Sequence, residues 1–140
     1  MKQSQILQNY RSICGPFWST RAAQSWIESR WDAHRVSNAG CEGIAQFAKS
    51  TWKDCIKHKW VQPTDKPTDI VPAIKAQHQY MLWLENILWG DRKLALAAYN
   101  FGIGNVKKVM MGQKELPIET QKYIYAVLAV TDLFNSELID

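Results

Sequence analysis

The hydrophobic positions of this chain follow the spacing of helices. Apolar residues recur every three or four positions along almost the whole length, and no segment alternates apolar and polar residues as a half-buried strand does. The clearest stripe consists of Ala22, Ala23, Trp26, Ile27 and Trp31. Ser19 or Thr20 precedes this stripe, and hydroxyl side chains are favoured at the N-cap of a helix. The pattern predicts a helix that begins near Ser19 and carries its apolar face as far as Trp31.

Similar stripes predict helices before and after this one. The segments concerned are residues 4–13, 50–58, 70–89, 91–100, 106–111 and a last long stretch from Pro117 to at least Phe134. Glycine or proline stands at several of their ends, as at Gly15 and Pro16, and both residues interrupt regular helices. Turn-forming residues dominate 37–43 and 61–67, which predicts loops there. The predicted fold class is therefore all-α.

Length and composition fit one folded domain. The chain has 140 residues, of which 46% are hydrophobic and 21% are charged, an ordinary balance for a globular protein. A chain of this length can bury one core but is too short for two independent ones. We therefore predict a single domain that covers residues 1–140.

The net charge of +4 favours an anionic partner, such as a cell-wall polymer, a membrane surface or a nucleic acid. The lysines are scattered and form one short run, Lys107 and Lys108, so we expect no dedicated nucleic-acid surface. No apolar segment approaches the roughly 18 residues of a membrane span, and the first residues lack the apolar stretch of a signal peptide. We therefore expect synthesis in a cytoplasm and no stable insertion into a membrane.

Three cysteines, Cys14, Cys41 and Cys55, form an odd set without a CxxC pair. We expect them to be reduced and buried. A zinc site could be drawn from His34, Cys41, Cys55 and His58, but the spacing does not match the usual pattern of zinc ligands. We therefore expect no metal and no cofactor.

Tryptophan is unusually frequent, with seven residues in the chain. Flat aromatic rings cover the apolar faces of sugars in carbohydrate-binding clefts, while large aromatic side chains also dominate hydrophobic cores. Composition alone leaves both uses open.

One acid, Glu28, lies between Trp26 and Trp31, just before a turn-rich loop. Apolar neighbours remove water from a carboxylate, so its pKa rises and it retains a proton near neutral pH. A general acid that protonates the leaving oxygen of a glycosidic bond needs such a proton. The alternative is a helix-surface acid that pairs with Arg30, Arg35 or solvent.

Three groups of residues extend the hypothesis of a glycosidic acid. The first consists of Glu28, Ser29, Ser37, Gly40, Gly43, Gln46 and Thr51. The second lies in ALAAYNFGIGNV and consists of Ala98, Tyr99, Asn100, Gly102, Gly104 and Val106. The third lies in LPIETQKYIYAV and consists of Pro117, Glu119, Thr120 and Tyr123. In order and spacing the three groups resemble the motifs of the lytic transglycosylases that share the fold of soluble lytic transglycosylase and goose-type lysozyme. The resemblance extends from about Ala22 to the last helix.

This resemblance implies a lysozyme-like helical domain with a substrate cleft, and it implies the role of Glu28. The residue would be the single catalytic acid/base, acting on the β-1,4 bond between N-acetylmuramic acid and N-acetylglucosamine in the glycan strands of peptidoglycan. After protonating the leaving oxygen, it would accept a proton from the muramic acid's primary hydroxyl, which closes an anhydro ring. If water attacks instead, the enzyme is a lysozyme, and this alternative stays open.

The resemblance also implies binding roles for five further residues. Ser37 would lie near the acetamido or lactyl group of the muramoyl residue, and Gln46 would hydrogen-bond the sugar or line the site. Tyr99 and Asn100 would border the cleft opposite the acid. Tyr123 would hydrogen-bond near the bond that is cut. A purely structural role remains an alternative for the two tyrosines, and Asn100 could simply cap a helix.

Four other acids could contribute. Asp32 lies four residues after Glu28, which on a continuous helix would place it nearby and help to keep Glu28 protonated. Glu42 and Asp91 are further candidates for positioning a water molecule. Glu119 belongs to the third motif, and we expect it to stabilise the fold rather than to take part in the chemistry.

The chain departs from the family pattern at two places. Where the family has ESGF, the chain has Glu28-Ser29-Arg30-Trp31, and where the family has GLMQ-x-M, the chain has GIAQFA over residues 43–48. Because the family's methionines are missing, we expect sugar subsites of a different shape and an unchanged acid.

The resemblance finally suggests a biological setting. A minimal, basic domain without a signal peptide is most similar to a bacteriophage endolysin, which is made in the host cytoplasm and reaches the cell wall when a holin opens the inner membrane. We expect such an enzyme to act as a monomer. A virion-associated enzyme, a non-catalytic wall-binding module and a helical nucleic-acid-binding protein are the alternatives.

Overall fold

The structure, a computed structural model, describes residues 1–137 and is helical through most of that range. Its α-helices are α1 (Gln3–Cys14), α2 (Trp18–Ser29), α3 (Lys49–Lys57), α4 (Ile70–Ile87), α5 (Arg92–Phe101), α6 (Ile103–Met110) and α7 (Ile118–Glu137). A short 3-10 helix, Gly15–Phe17, joins α1 to α2. The loop between α2 and α3 contains two isolated antiparallel bridges, in which Glu42 pairs with Val36 and with Phe47. The all-α prediction is confirmed.

Helix α2 is packed between two apolar clusters. It contacts α1 and α7 directly. Ala22 belongs to the cluster that contains Tyr10 and Ile74, whereas Ala23 belongs to the cluster that contains Leu96. Small side chains let neighbouring helices approach closely, and close packing restricts movement. The end of α2 is therefore a rigid support for the side chains that it carries.

A buried polar network ties α2 to α1 and α4. The Tyr10 hydroxyl donates a hydrogen bond of 2.6 Å to Oε1 of Gln77. Nε2 of Gln77 in turn donates to the Gln24 side chain and to the backbone oxygen of Arg21, each at 2.9 Å. The guanidinium of Arg21 pairs with Glu85 at 3.0 Å. Since buried polar groups are costly without partners, this network favours a single register of α2 against its neighbours.

Both predicted ends of α2 need correction. The helix begins at Trp18, so Ser19 and Thr20 are buried residues of its first turn and not the N-cap. It ends at Ser29 because Arg30 and Trp31 adopt left-handed backbone conformations, with φ of 55° and 61°. The predicted helical stripe therefore stops before Trp31. That indole folds back over the helix, where its Nε1 donates to the backbone oxygen of Ala22 at 3.0 Å.

The other helices differ from prediction by a few residues at their ends. The prediction that a helix starts at Asp91 is confirmed, because its side chain accepts the backbone N–H of Leu94 at 3.0 Å and caps α5. Helix α4 stops at Ile87, before the left-handed residues Trp89 and Gly90. Helix α6 begins at Ile103, three residues earlier than predicted, directly after Gly102.

The cysteines are free thiols, and two of them are buried as predicted. Burial raises the pKa of Cys14 and of Cys55 to about 12, so both are poor nucleophiles. Cys41 is only half-buried, which corrects the prediction for that residue.

Among the side chains of residues 1–136 no group of three or more His, Cys, Asp or Glu is placed to hold a metal ion, so the zinc arrangement that the sequence permits does not form. Over the same range, every helix is too short or too polar to cross a membrane.

Candidate active site

Glu28 is the penultimate residue of α2, and its side chain borders a cavity of about 350 Å³. The chain leaves the helix immediately afterwards and forms the loop that makes the opposite wall. The cavity is lined by Glu28, Arg35, Ser37, Cys41, Gln46, Tyr99, Asn100 and Glu119. Five of the six residues that the sequence singles out, all except Tyr123, therefore lie around one space.

The carboxyl group of Glu28 is half-buried and holds its proton more tightly than an ordinary glutamate. Burial raises its pKa from 4.5 to about 7 because the charged form loses water. Two neighbours act in the opposite direction: the hydrogen bond from Tyr123 and the positive charge of Arg35 both lower the pKa. Burial outweighs them, so near neutral pH the group can either donate or accept a proton.

Tyr123 reaches Glu28 from α7. Its hydroxyl donates a hydrogen bond of 3.1 Å to Oε2 of Glu28, and the residue is only 7% exposed. Burial and the neighbouring carboxylate raise the pKa of Tyr123 well above its ordinary value. The hydroxyl therefore stays protonated and acts as a fixed donor to one oxygen of the acid.

Tyr99 joins α5 to the loop across the cavity. Its hydroxyl donates a hydrogen bond of 2.6 Å to the backbone oxygen of Ala45. Burial, followed by the charge of Glu28, raises the pKa of Tyr99 well above its ordinary value. Since the hydroxyl hydrogen is already donated within the protein, Tyr99 can offer a ligand its ring and the acceptor capacity of its oxygen, but no donor.

The loop that faces Glu28 is attached to α2 and braced from within. Ser29, next to the acid, donates a hydrogen bond of 2.7 Å to the backbone oxygen of Ile44. Gly43 has a φ of +85° and lies so close to the backbone of Pro67 that a Cβ atom would collide with it. Nε2 of Gln46 donates to the backbone oxygens of Arg35 and Gly43 at 3.0 and 2.9 Å. The Gln46 amide nitrogen thus supports the loop, and its carboxamide oxygen remains for a ligand.

Ser37 and Asn100 are each held by one protein contact. The Ser37 oxygen accepts the backbone N–H of Cys41 at 3.1 Å, which leaves its hydroxyl hydrogen to be donated. Oδ1 of Asn100 accepts from the Thr120 hydroxyl at 2.9 Å, which orients its amide nitrogen. Both side chains can therefore present a donor to the cavity.

A second cavity of about 200 Å³ continues the first. The two share Cys41, Gln46, Tyr99 and Asn100, so they form one groove. The second part adds Phe47, Ala48, Thr51, Tyr80, Ala98 and Gly102. Ala48, which stands where the family pattern has its second methionine, lies on the wall of this groove, whereas Ala45, at the position of the first, is buried.

Residues 18–122 match the family described as Transglycosylase SLT domain. The chain belongs to this family. It is 31% identical over 121 residues to the membrane-bound lytic murein transglycosylase D of Escherichia coli strain K12, a match that covers 79% of this chain and 26% of that protein. It is 28% identical over 135 residues to the membrane-bound lytic murein transglycosylase F of Actinobacillus succinogenes, with the same two coverages. The chain thus spans about a quarter of the length of these curated relatives.

Solved structures support the fold of this SLT domain. The 70 kDa soluble lytic transglycosylase of Escherichia coli is similar with a TM-score of 0.83 at 22% identity, over 99% of this chain and 25% of that chain. An inactive mutant of the lytic transglycosylase Slt of Pseudomonas aeruginosa gives a TM-score of 0.81 at 22% identity, over 99% of this chain and 24% of that chain. The fold class and the family predicted from the sequence motifs are both confirmed.

Among the described residues, no tryptophan lines the cavity beside Glu28, although Trp26 and Trp31 flank this acid in the sequence. Trp26 and Trp31 instead contact each other, with ring centroids 5.1 Å apart, and Trp31 stacks on Phe134. Tyr99 of the second motif lines the cavity, and Tyr123 of the third motif donates a hydrogen bond to Glu28.

The other candidate acids have different positions. Asp32 lies beyond the end of α2 and accepts the backbone N–H of His34 at 3.0 Å, so the expected helical proximity to Glu28 is wrong. Asp91 caps α5, and neither it nor Glu42 lines the cavity. Glu119 does line the cavity and is exposed, which its motif alone did not indicate.

Sequence reasoning missed Arg35 and Cys41 as members of the cavity wall. Arg35 was considered only as a surface partner for Glu28, and Cys41 only as a buried thiol or a ligand of the rejected zinc site. The available signal was their place in the loop, since both flank Ser37 within four residues.

Proposed function

We propose that this SLT domain is a lytic transglycosylase that cleaves the β-1,4 bond between N-acetylmuramic acid and N-acetylglucosamine in peptidoglycan. The observation that carries the proposal is the half-buried carboxyl group of Glu28, which lies beside a groove with several hydrogen-bond donors. Burial raises the pKa of this group to about 7. Membership of the Transglycosylase SLT domain family supports this reaction class, and the second cavity extends the groove beyond the one that Glu28 borders.

In the first step, protonated Glu28 donates its proton to the oxygen that leaves with N-acetylglucosamine. The bond between that oxygen and C1 of the muramoyl residue breaks, and positive charge develops at C1. The substrate's own acetamido oxygen stabilises this centre, as in other glycosidases that rely on substrate assistance. The hydroxyl of Tyr123 donates a hydrogen bond to Oε2 of Glu28 and so stabilises the carboxylate as it forms.

In the second step, the ionised Glu28 accepts the proton of the muramoyl C6 hydroxyl. The C6 oxygen bonds to C1 and closes the 1,6-anhydro ring, which consumes no water. Glu28 ends the cycle protonated. One carboxyl group serves both steps because its pKa lies near the pH at which both of its forms are populated.

Four further side chains bind the sugar in this proposal. Ser37 and Asn100 donate hydrogen bonds, and the free carboxamide oxygen of Gln46 accepts one. The ring of Tyr99 contacts an apolar face of the sugar, since its hydroxyl is already bonded to Ala45.

Hydrolysis is the second candidate outcome. Glu119 lines the same cavity as Glu28 and is exposed to solvent, where a second carboxylate could orient an attacking water. The same bond would then be cut with lysozyme chemistry.

Digestion of purified peptidoglycan tests both. Wild type, Glu28→Gln and Glu119→Gln are compared, and the released fragments are identified by mass spectrometry. We expect anhydro-muramoyl ends from wild type and from Glu119→Gln, and no fragments from a folded Glu28→Gln. Reducing ends that contain one added water and disappear in Glu119→Gln would indicate a lysozyme. A Glu28→Gln variant that still releases fragments would remove the assignment, and a wild type that binds peptidoglycan without cutting it would indicate a wall-binding module.

The proposed place of action is the cell wall, and the proposed setting is phage-driven lysis, in which a holin gives the protein access to the wall. The net charge of +4 supports capture by an anionic envelope. Since one chain supplies every residue that lines the groove, a monomer suffices for the reaction. Expression in a bacterial host with and without a holin tests the setting: we expect the turbidity of the culture to fall only when the holin is present. Lysis without it would contradict this route.

A further inference from the structure

In the part of the chain that the structure describes, Arg35 is the one cation that lines the Glu28 cavity. Its side chain is exposed to that space. Among the side chains of residues 1–136 its guanidinium has no ion-pair partner, and this includes Glu28 and Glu119 of the same cavity. Five N–H donors of fixed geometry are thus available to a ligand.

The backbone of Arg35 is held in place although its side chain is free. The backbone oxygen accepts hydrogen bonds from the N–H of Gly43 at 2.9 Å and from the Gln46 side chain at 3.0 Å. The backbone N–H of Arg35 donates a hydrogen bond of 3.2 Å to the backbone oxygen of Asp32. The guanidinium therefore extends from a fixed point in the wall of the cavity, two residues before Ser37.

The positive charge of Arg35 acts against the retention of a proton by Glu28. A positive charge near Glu28 favours the ionised carboxylate and so lowers the pKa that burial raises. Without a ligand, the charge of Arg35 therefore keeps the pKa of Glu28 lower than burial alone would set it. An anion bound to the guanidinium would cancel this effect, because it would neutralise the cation and add negative charge beside the acid.

Resting on the function proposed above, we propose that Arg35 binds a carboxylate carried by the muramoyl side of the substrate. Two sources share this chemistry: the lactyl carboxylate of a glycan strand stripped of its peptides, and the nearest free carboxylate of a stem peptide. Guanidinium groups bind carboxylates through two parallel hydrogen bonds, which would orient the muramoyl residue as well as attract it. Arg35 is in this sense a positioning residue that couples substrate charge to proton retention by Glu28.

The test removes the charge from each side of the contact in turn. The substrates are intact peptidoglycan, strands stripped by an amidase, and both preparations after carbodiimide coupling with methylamine, which converts carboxylates to neutral amides. The proteins are wild type, Arg35→Gln, Arg35→Lys and the control Lys108→Gln, which removes one positive charge outside the cavity. For each pair kcat, KM and the pH profile are measured.

We expect Arg35→Gln to lower kcat/KM about tenfold on the carboxylate substrate, mainly through KM, since a hydrogen bond to a charged group has about this effect. The loss should vanish on the neutral amide, and Arg35→Lys should restore part of it. In wild type, the alkaline limb of kcat should lie at higher pH with the carboxylate substrate than with the amide. Lys108→Gln should behave as wild type on all four substrates.

Comparison of the intact and stripped substrates also identifies the source of the carboxylate. Charge dependence confined to stripped strands assigns the lactyl group, and charge dependence confined to intact material assigns the stem peptide. Equal losses in Arg35→Gln on carboxylate and amide substrates, or no loss on either, would overturn the proposal.

Binding measurements separate failure of this inference from failure of the proposed function. In a Glu28→Gln background the dissociation constant for each soluble strand is measured by calorimetry, with and without Arg35→Gln. If wild type cuts no substrate, the proposed function fails whatever these constants are. If wild type cuts but the constants do not depend on the substrate carboxylate through Arg35, only the inference about Arg35 fails.

Discussion

The hydroxyl of Tyr123 donates a hydrogen bond of 3.1 Å to Oε2 of Glu28, although 95 positions separate the two residues in the chain. Helix α7 thereby supplies a donor to the last turn of α2, against which it packs. The bond lowers the pKa of Glu28 while burial raises it to about 7. The acidity of the site is thus a balance between two opposing effects, and substitutions can shift each of them separately.

Tyr123→Phe should move the alkaline limb of the activity profile to higher pH. The variant loses the hydrogen bond that favours the carboxylate, so the pKa of Glu28 should rise above about 7, by roughly half to one unit. Activity at low pH should also fall, about tenfold, because the carboxylate formed in the first step loses its partner. The measurement is kcat against pH on soluble glycan strands. Tyr125→Phe is the matched control, since Tyr125 lies on the same helix and is 68% exposed. A limb that stays in place in Tyr123→Phe contradicts the assigned origin of the pKa.

Glu28→Gln should increase stability at neutral and alkaline pH. The pKa of Glu28 is raised in the folded state, so between about 4.5 and about 7 the folded protein binds more protons than the unfolded chain, and wild-type stability falls as pH rises through this window. Glutamine has no such ionisation. The free energy of unfolding of the variant should therefore exceed that of wild type by about 1 to 3 kcal/mol above pH 7, the lower end allowing for partial hydration of the carboxyl group.

Chemical denaturation at pH 4 and at pH 8 checks this difference. Near pH 4 the two proteins should be equally stable, because Glu28 of wild type is then protonated and the glutamine of the variant carries no charge. Glu115→Gln, an exposed acid outside the cavity, should show no comparable gain at either pH. A Glu28→Gln variant that is less stable than wild type at pH 8 would show that ionisation of Glu28 does not lower the free energy of unfolding.

Gly43→Ala should destabilise the loop that faces Glu28. A Cβ atom at this position would lie 2.7 Å from the carbonyl carbon of Pro67 and closer still to its oxygen, and the φ of +85° disfavours any other residue than glycine. We expect a loss of about 3 kcal/mol or more in thermal or chemical unfolding, with a matching loss of activity. Gly40→Ala is the control, because Gly40 has a φ of +83° but nothing within 4 Å of its Cβ position. Its cost should be confined to backbone strain, about 1 kcal/mol. Equal costs for the two substitutions would show that the contact with Pro67 contributes nothing.

Thr120→Val should weaken substrate binding by releasing Asn100. The Thr120 hydroxyl is the donor that orients the Asn100 side chain, at 2.9 Å. We expect KM to rise about three- to tenfold with a smaller change in kcat, together with a stability loss of about 1 kcal/mol. Thr131→Val removes a comparable hydroxyl from the same helix, one that donates to the backbone of Val127 away from the groove. It should lose similar stability and keep its KM. A Thr120→Val variant with unchanged KM would mean that Asn100 needs no support from α7.

Local signals predicted much of this fold. The helical spacing of apolar residues located α4 and α5 almost to their ends, and Asp91, where a helix was expected to begin, caps α5. These features depend on residues within a few positions of one another, so sequence is enough to read them. The same reasoning failed at Trp31, which the apolar stripe assigned to α2. The chain reverses at Arg30 instead, and the indole is held by its contact with Ala22, which periodicity does not reveal.

The sequence by itself determined the helical class, the family, and which acid is the candidate for catalysis, because periodicity, capping residues and motif spacing are all properties of the chain order. Only the tertiary structure decided how that acid is tuned. Burial raises the pKa of Glu28, Tyr123 from α7 and Arg35 from the facing loop lower it, and among the described residues no tryptophan borders its cavity. A pKa depends on the atoms that surround a group in space, and here those atoms come from segments that lie far apart along the chain.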